Sequence, residues 1–136
     1  MAPSVFVDTS GWYALIDRND PGHAPTAALV AQLLRDGSRL VTTDYVLDEA
    51  YTLAKARFGS VLALRLLDLV HHTAALDLEW VGSEHFEAAE GWFRTYHDQT
   101  FSFTDCTSFV IMRERGIRQA ITTDDHFRIA GFLLLP

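Results

Sequence analysis

Ser4-Val5-Phe6-Val7-Asp8-Thr9-Ser10 decides how this chain folds. A short apolar, β-prone run ends on a carboxylate and two hydroxyl residues, and from about Gly11 to Ile16 the spacing becomes helical. A strand that gives way so quickly to a helix opens a strand–helix–strand unit, and the same alternation continues downstream. The turn cluster Asp17-Arg18-Asn19-Asp20-Pro21-Gly22 precedes a helix over about 23–35, where Pro25 is tolerated in the first turn. Asp36-Gly37 ends that helix, Arg39-Leu40-Val41-Thr42-Thr43 reads as the second strand, and Asp44 to Phe58 is helical again. Gly59 suits the end of this helix and Ser60 the cap of the next, over about 61–73.

Residues 75–81 alternate with a period near two and read as a strand, after which Ser83 caps a helix over about 84–96. Ser102-Phe103-Thr104-Asp105 opens a further helix that stops at Gly116. Gln119-Ala120-Ile121-Thr122-Thr123 is a strand, His126-Phe127 a short turn, and 131–135 a last edge strand. Strands alternating with helices imply an α/β protein, a three-layer α/β/α sandwich around a mostly parallel central sheet. At 136 residues, with no repeat, low-complexity tract or linker, 1–136 is expected to form one domain.

Composition narrows the function. Hydrophobic residues make up 49% and charged residues 21%, values of a globular chain with a real core. No basic stretch followed by an apolar one opens at Met1-Ala2-Pro3, and Phe132-Leu133-Leu134-Leu135 is far too short to cross a bilayer. A single cysteine, Cys106, excludes an internal disulfide framework and fits a cytoplasmic location with no membrane association. The formal net charge of −7 argues against a protein that coats nucleic acid by charge alone, though not against an enzyme acting on phosphates through bound cations.

Four acids stand at element ends: Asp8 after the first strand, Glu49 one turn into the helix after the second, Asp105 at a helix start, and Asp124 after the late strand. Singly, each has a structural explanation as a cap, a dipole partner, a turn former or a solvated helix residue. Together they fall where an open α/β sheet builds its ligand site, outside the carboxyl ends of its strands. Glu49 is flanked at helical spacing by apolar Val46, Ala50 and Leu53, which places it toward the interior. Carboxylates converging there repel one another unless a cation sits among them, and a hard divalent ion, Mg²⁺ or Mn²⁺, is the simplest such cation.

Val7-Asp8-Thr9-Ser10, Asp48-Glu49-Ala50, Phe103-Thr104-Asp105-Cys106 and Thr123-Asp124-Asp125-His126-Phe127 resemble the four acidic motifs of the PIN-domain ribonucleases, most nearly the VapC-type toxins of toxin–antitoxin pairs. The resemblance spans nearly the whole chain in the family's order. It implies the α/β/α sandwich and a Mg²⁺- or Mn²⁺-dependent endoribonuclease whose catalytic, metal-holding acids are Asp8, Glu49, Asp105 and Asp124. Asp124 is chosen over Asp125 because it follows the strand and keeps the Asp-x-His-Phe spacing; Asp125 is then a solvated neighbour or a supporting group. Thr9, Ser10 and Thr123 are possible supports that orient water or phosphate. Hydrolysis of RNA to a 5′-phosphate and a 3′-hydroxyl, an antitoxin protein partner and a homodimer are further implications of the resemblance.

Other residues draw structural readings. Cys106 has no histidine beside it in sequence and reads as a buried thiol. His71 and His72 point to different helix faces, and His126 serves the turn or contacts phosphate. Trp12 and Tyr13 pack in the core or stack on a base; Arg113 and Arg115 steer RNA or complement a helix end. The broad apolar surface of the helix at 61–73 means either simple burial or docking of another chain, and in a toxin that chain is the antitoxin. Two rival classes remain: a receiver-like Mg²⁺-binding signalling domain, which would need a lysine after a late strand although the only lysine, Lys55, stands in a mid-chain helix, and a PIN-type module that binds RNA or protein without cutting.

Overall fold

The computed structural model describes residues 3–136; the expectation drawn from Met1 and Ala2 about an export signal lies outside them. The elements run β1 (Ser4–Val7), α1 (Thr9–Ile16), α2 (His23–Arg35), β2 (Arg39–Thr43), α3 (Asp44–Phe58), α4 (Ser60–His72), β3 (Leu76–Glu79), α5 (Ser83–Thr95), α6 (Phe103–Arg115), β4 (Gln119–Ile121), α7 (Asp125–Ile129) and β5 (Leu133–Leu135). The strands form one sheet in the order β3-β2-β1-β4-β5. Every pairing is parallel, with Phe6 opposite Val41 on one side and Ala120 on the other.

A central parallel strand is covered on both faces and needs apolar residues at every position. Past half-buried Ser4, β1 meets that condition: Val5, Phe6 and Val7 are all buried, as are Leu40 and Val41 of β2. β3 lies at the edge, and its Leu-Asp-Leu-Glu alternation leaves it half-exposed. Right-handed crossovers place the helices that follow β1 and β2 on one face and those that follow β3 and β4 on the other. The packing agrees: α1 contacts α2, α3 and α4, while α5 contacts α6, and α6 contacts α7. In the second layer Phe109 gathers the rings of Trp92, Phe101, Phe127 and Phe132.

One close approach fixes α1 on the sheet. A Cβ at Gly11 would stand 2.3 Å from the carbonyl oxygen of Ile121, so only glycine lets the first helix sit against the end of β4. Asp8 N–H donates to that same carbonyl at 3.2 Å. The first turn of α1 is thereby held against the segment that leaves β4.

Several boundaries differ from expectation. α1 begins at Thr9 rather than near Gly11, and α5 at Ser83, preceded by Gly82. Gly59, with φ +89°, both ends α3 and precedes α4, so Ser60 is the first helical residue instead of a cap. β4 stops at Ile121, and Asp124 therefore stands three residues beyond the strand, not directly after it. The cause is a contact across the fold: the Thr122 hydroxyl and the Thr123 amide bond to side chains of the Asp8–Ser10 segment rather than to a ladder. On α4, Leu66 and Val70 are buried while Val61, Leu64 and Leu67 face outward, so simple burial does not explain its apolar surface. Among the described residues no helix is long and apolar enough to cross a membrane.

Candidate active site

The strand order reverses between β1 and β4, because the chain leaves β1 toward β2 and returns to β4 from the far side of β3. At such a switch point the loops part and open a crevice at the carboxyl ends of the two strands. Asp8 follows β1 and enters α1 at its N-cap position, yet makes no capping bond. Its Oδ2 instead accepts from Thr122 Oγ1 at 3.1 Å.

That single bond sets the protons of a small network. Thr122 gives its one hydroxyl proton to Asp8 and accepts from Asp124 N–H at 3.0 Å. Ser10, 3.1 Å from Thr122 Oγ1, must therefore be the donor of that pair, and it accepts from Thr123 N–H at 2.9 Å. The α1 start and the β4–α7 connection are thus laced by side chains on both sides of the switch point.

The remaining acids arrive from the flanking helices. Thr9 Oγ1 donates to Glu49 Oε1 of α3 at 2.8 Å. Asp105 occupies the third position of α6, where Ser102 N–H donates to its Oδ2 at 3.0 Å and its own N–H donates to Ser102 Oγ at 2.9 Å, a reciprocal capping box. Asp124 caps α7 by accepting from His126 N–H at 2.9 Å. The His126 ring then spans the two acids, its Nδ1 lying 2.9 Å from Asp105 Oδ2 and 3.3 Å from Asp124 Oδ1. Its Nε2 is 2.8 Å from Thr100 Oγ1, which holds the ring from behind.

Burial and crowding raise the carboxyl pKa values. Asp8, only 5% exposed, is pushed up to about 7: burial is the main cause, the Asp105 and Glu49 charges add to it, and the Thr9 backbone and Thr122 hydroxyl oppose it. Asp105 is also raised, chiefly by burial and further by Asp124, against the Ser102 amide and His126. Carboxyls held in this way are uncomfortable as anions and favour a cation among them.

The arrangement has two sides joined by Asp124. Asp8, Thr9, Ser10, Glu49 and Asp124 line an open pocket of about 200 Å³ with Tyr13, Leu53 and Arg57. On the other side, Asp105, Asp124 and His126 each offer a ligand atom within 4.8 Å of the others, within reach of one ion. Carboxylate oxygens are hard donors and an imidazole nitrogen is a further ligand atom, so the donor set fits a divalent ion.

Of the residues singled out from sequence, Thr123 has an exposed side chain and meets the site only through its backbone; Thr122, read as part of a strand, supplies the hydroxyl instead. Asp125 turns outward to Arg128 at 2.9 Å. Trp12 and Tyr13 are both buried, which removes them as stacking platforms. Arg113 lies over the Trp92 and Phe132 rings, and Arg115 pairs with Glu79, so neither faces the acids. Cys106 is fully buried, and burial pushes its thiol up to about 11. Thr122 and Arg57 were not legible as site residues, because Thr122 meets its partner across the fold and Arg57 reads locally as a helix-end cation; His126, read as serving the turn or contacting phosphate, does neither alone but bridges two acids.

Comparison with known proteins places this geometry. The PIN domain model matches residues 5–133. The chain is 34% identical over 134 residues, 95% of each chain, to the 23S rRNA-specific endonuclease VapC20 of Mycobacterium tuberculosis. It is 32% identical over 114 residues to Ribonuclease VapC30 of the same species, which spans 81% of this chain and 82% of that one. Its fold is similar to the crystal structure of VapC20, described as a sarcin–ricin loop cleaving toxin, with a TM-score of 0.85 at 32% identity over 95% of this chain and 96% of that one. VapBC2 from Rickettsia felis, solved with a DNA fragment from its promoter, shares the fold alone, with a TM-score of 0.71 at 14% identity over 97% of each chain. A parallel sheet with acids at its switch point and full-length likeness to these ribonucleases make the chain a member of the PIN-domain family, among its VapC-type toxins.

Proposed function

We propose that this chain, as a single domain over 1–136, is a Mg²⁺- or Mn²⁺-dependent endoribonuclease that hydrolyses RNA phosphodiester bonds as the toxin of a toxin–antitoxin pair. The observation that carries the reading is the nearly enclosed Asp8 carboxyl, raised to about 7 among Asp105 and Glu49 at the switch-point crevice. Asp8, Asp105 and Asp124 would hold the ion, with Glu49 completing the acidic ring. The bound ion supplies Lewis-acid charge for phosphodiester hydrolysis.

The chain's own residues do the rest. Thr122 keeps one Asp8 oxygen fixed, and Ser102 with His126 fixes one Asp105 oxygen. Glu49, steadied by Thr9, accepts the proton of the attacking water. Water adds to phosphorus in line as the bond to the 3′ oxygen breaks, and that oxygen takes a proton from solvent, leaving a 5′-phosphate and a 3′-hydroxyl. No lysine lines the pocket and Lys55 is exposed on α3, so the receiver reading lacks its charge partner.

A ribosomal RNA hairpin is the first substrate to test, because VapC20 is a 23S rRNA-specific endonuclease. Exposed Val61, Leu64 and Leu67 on α4 support an antitoxin seated on the α3–α4 pair. Outward-facing Trp80, Phe86 and Phe93 support a homodimer. A lone buried cysteine and an RNA substrate suit the cytoplasm. Mapping 5′ ends after incubating 23S rRNA with the chain and Mg²⁺ tests the proposal: phosphate-bearing ends at one hairpin are expected, and intact rRNA together with intact single-stranded RNA would overturn it.

A further inference from the structure

We propose that Arg57 binds a backbone phosphate of the RNA flanking the cut bond and so sets the register of the strand across the acids. This inference rests on the ribonuclease reading above and deepens it by naming a substrate contact outside the acidic cluster.

A chain with a net charge of −7 must bring a polyanion to a pocket ringed by carboxylates. A bound ion serves the phosphate under attack, but the phosphates beside it still meet Asp8, Glu49 and Asp124 at close range unless a fixed cation receives them. Among the residues lining the pocket, Arg57 is the only base. It shares one face of α3 with Glu49 and Leu53, at steps of four residues. Two turns of helix separate its backbone from that of Glu49, about 12 Å along the axis. Arg57 thus lines the pocket from the far end of α3, while Glu49 lines it from the near end.

Arg57 has no other employment in the fold. Arg39 pairs with Asp77, Arg115 with Glu79 and Arg128 with Asp125, but among the described residues no carboxylate lies within ion-pair distance of Arg57, and its side chain is exposed. A position in the last turn of α3 suits any cation, and Lys55 shares that turn. Proximity to the pocket is what Lys55 lacks. Arg57 lines the pocket together with Tyr13, whose hydroxyl donates to Ala50 O at 3.1 Å and so holds that wall in place. A planar guanidinium also matches phosphate oxygens in a two-pronged fashion that an ammonium does not.

The test measures binding of a fluorescein-labelled RNA hairpin by anisotropy across a salt series, in an Asp8→Asn background so that the strand stays whole. Arg57→Met keeps most of the side-chain stem and removes the charge; Arg57→Lys keeps the charge. We expect Arg57→Met to weaken binding about tenfold at low salt and to flatten the log–log salt slope by about 0.7, the share of one phosphate on a single strand. Arg57→Lys should restore the slope. In the Asp8-intact protein, Arg57→Met should raise KM with kcat nearly unchanged. An unchanged salt slope in Arg57→Met overturns the proposal whatever happens to turnover, as does binding too weak to detect at low salt. A changed slope in a protein whose Asp8-intact form cuts no RNA would keep the Arg57 contact and overturn the nuclease reading instead.

Discussion

Thr122 Oγ1 stands 3.1 Å from Asp8 Oδ2 and joins two residues 114 positions apart. The hydroxyl favours the ionised carboxylate, so its removal must push the Asp8 pKa further above about 7. Thr122→Val should lower RNA cleavage at neutral pH by about tenfold and move the pH–rate profile to the alkaline side. It also strips Asp124 N–H of its partner, at a stability cost of about 1–2 kcal/mol. A pH–rate profile superimposable on that of the parent would show that the contact is catalytically idle.

Metal-free stability should depend on pH in a direction set by Asp8. Its carboxyl titrates near 3.8 in the unfolded chain and about 7 in the folded one, so between these values the folded chain holds a proton that the unfolded chain has lost. The contribution is fully present below about 4, fades as pH rises through 7, and stays absent above. Raised Asp105 adds in the same sense. Melting curves in EDTA should therefore show Tm falling from pH 5 to pH 8, with a shallower fall in Asp8→Asn. Added Mg²⁺ should raise Tm more at pH 8 than at pH 5, because binding to the ionised form stabilises the fold by mass action. Parallel curves for parent and variant would remove Asp8 as the source.

The sequence was legible wherever a signal was local. β1 reads as a strand because three of its four residues are apolar and β-prone, and the acids could be placed because each abuts an element end. Thr122 and Thr123 were misread as strand residues since β-branched side chains suit a ladder. They leave it only because Ser10 and Asp8 offer better partners, and that depends on a glycine contact at Gly11 that no local pattern displays. Asp8's raised pKa and His126's bridge between two acids were hidden for the same reason: both are properties of convergence, not of neighbours in the chain.

Gly11 should tolerate no side chain. The methyl group of Gly11→Ala would collide with backbone, the Ile121 carbonyl, rather than with a movable side chain. Urea unfolding should show a loss on the order of 2 kcal/mol. Turnover should fall as well, since α1 carries Thr9 and Ser10 away from Glu49 and Thr122. A variant as stable and as active as the parent would mean that α1 does not sit on β4 as described.

The exposed apolar residues of α4 allow the proposed partner surface to be tested apart from the chemistry. Leu64 is 59% exposed, so Leu64→Glu should change stability by no more than about 0.5 kcal/mol and leave RNA cleavage intact. Co-purification with the proposed antitoxin partner should be lost. Retention of the partner at full yield would move the antitoxin surface elsewhere.

The most direct measurement compares RNA decay in three reactions: the parent with Mg²⁺, the parent with EDTA, and Asp8→Asn with Mg²⁺. The account predicts cleavage in the first alone, with the variant slowed at least about a hundredfold. Equal decay in all three, or none in any, would contradict a metal-dependent ribonuclease built on these acids.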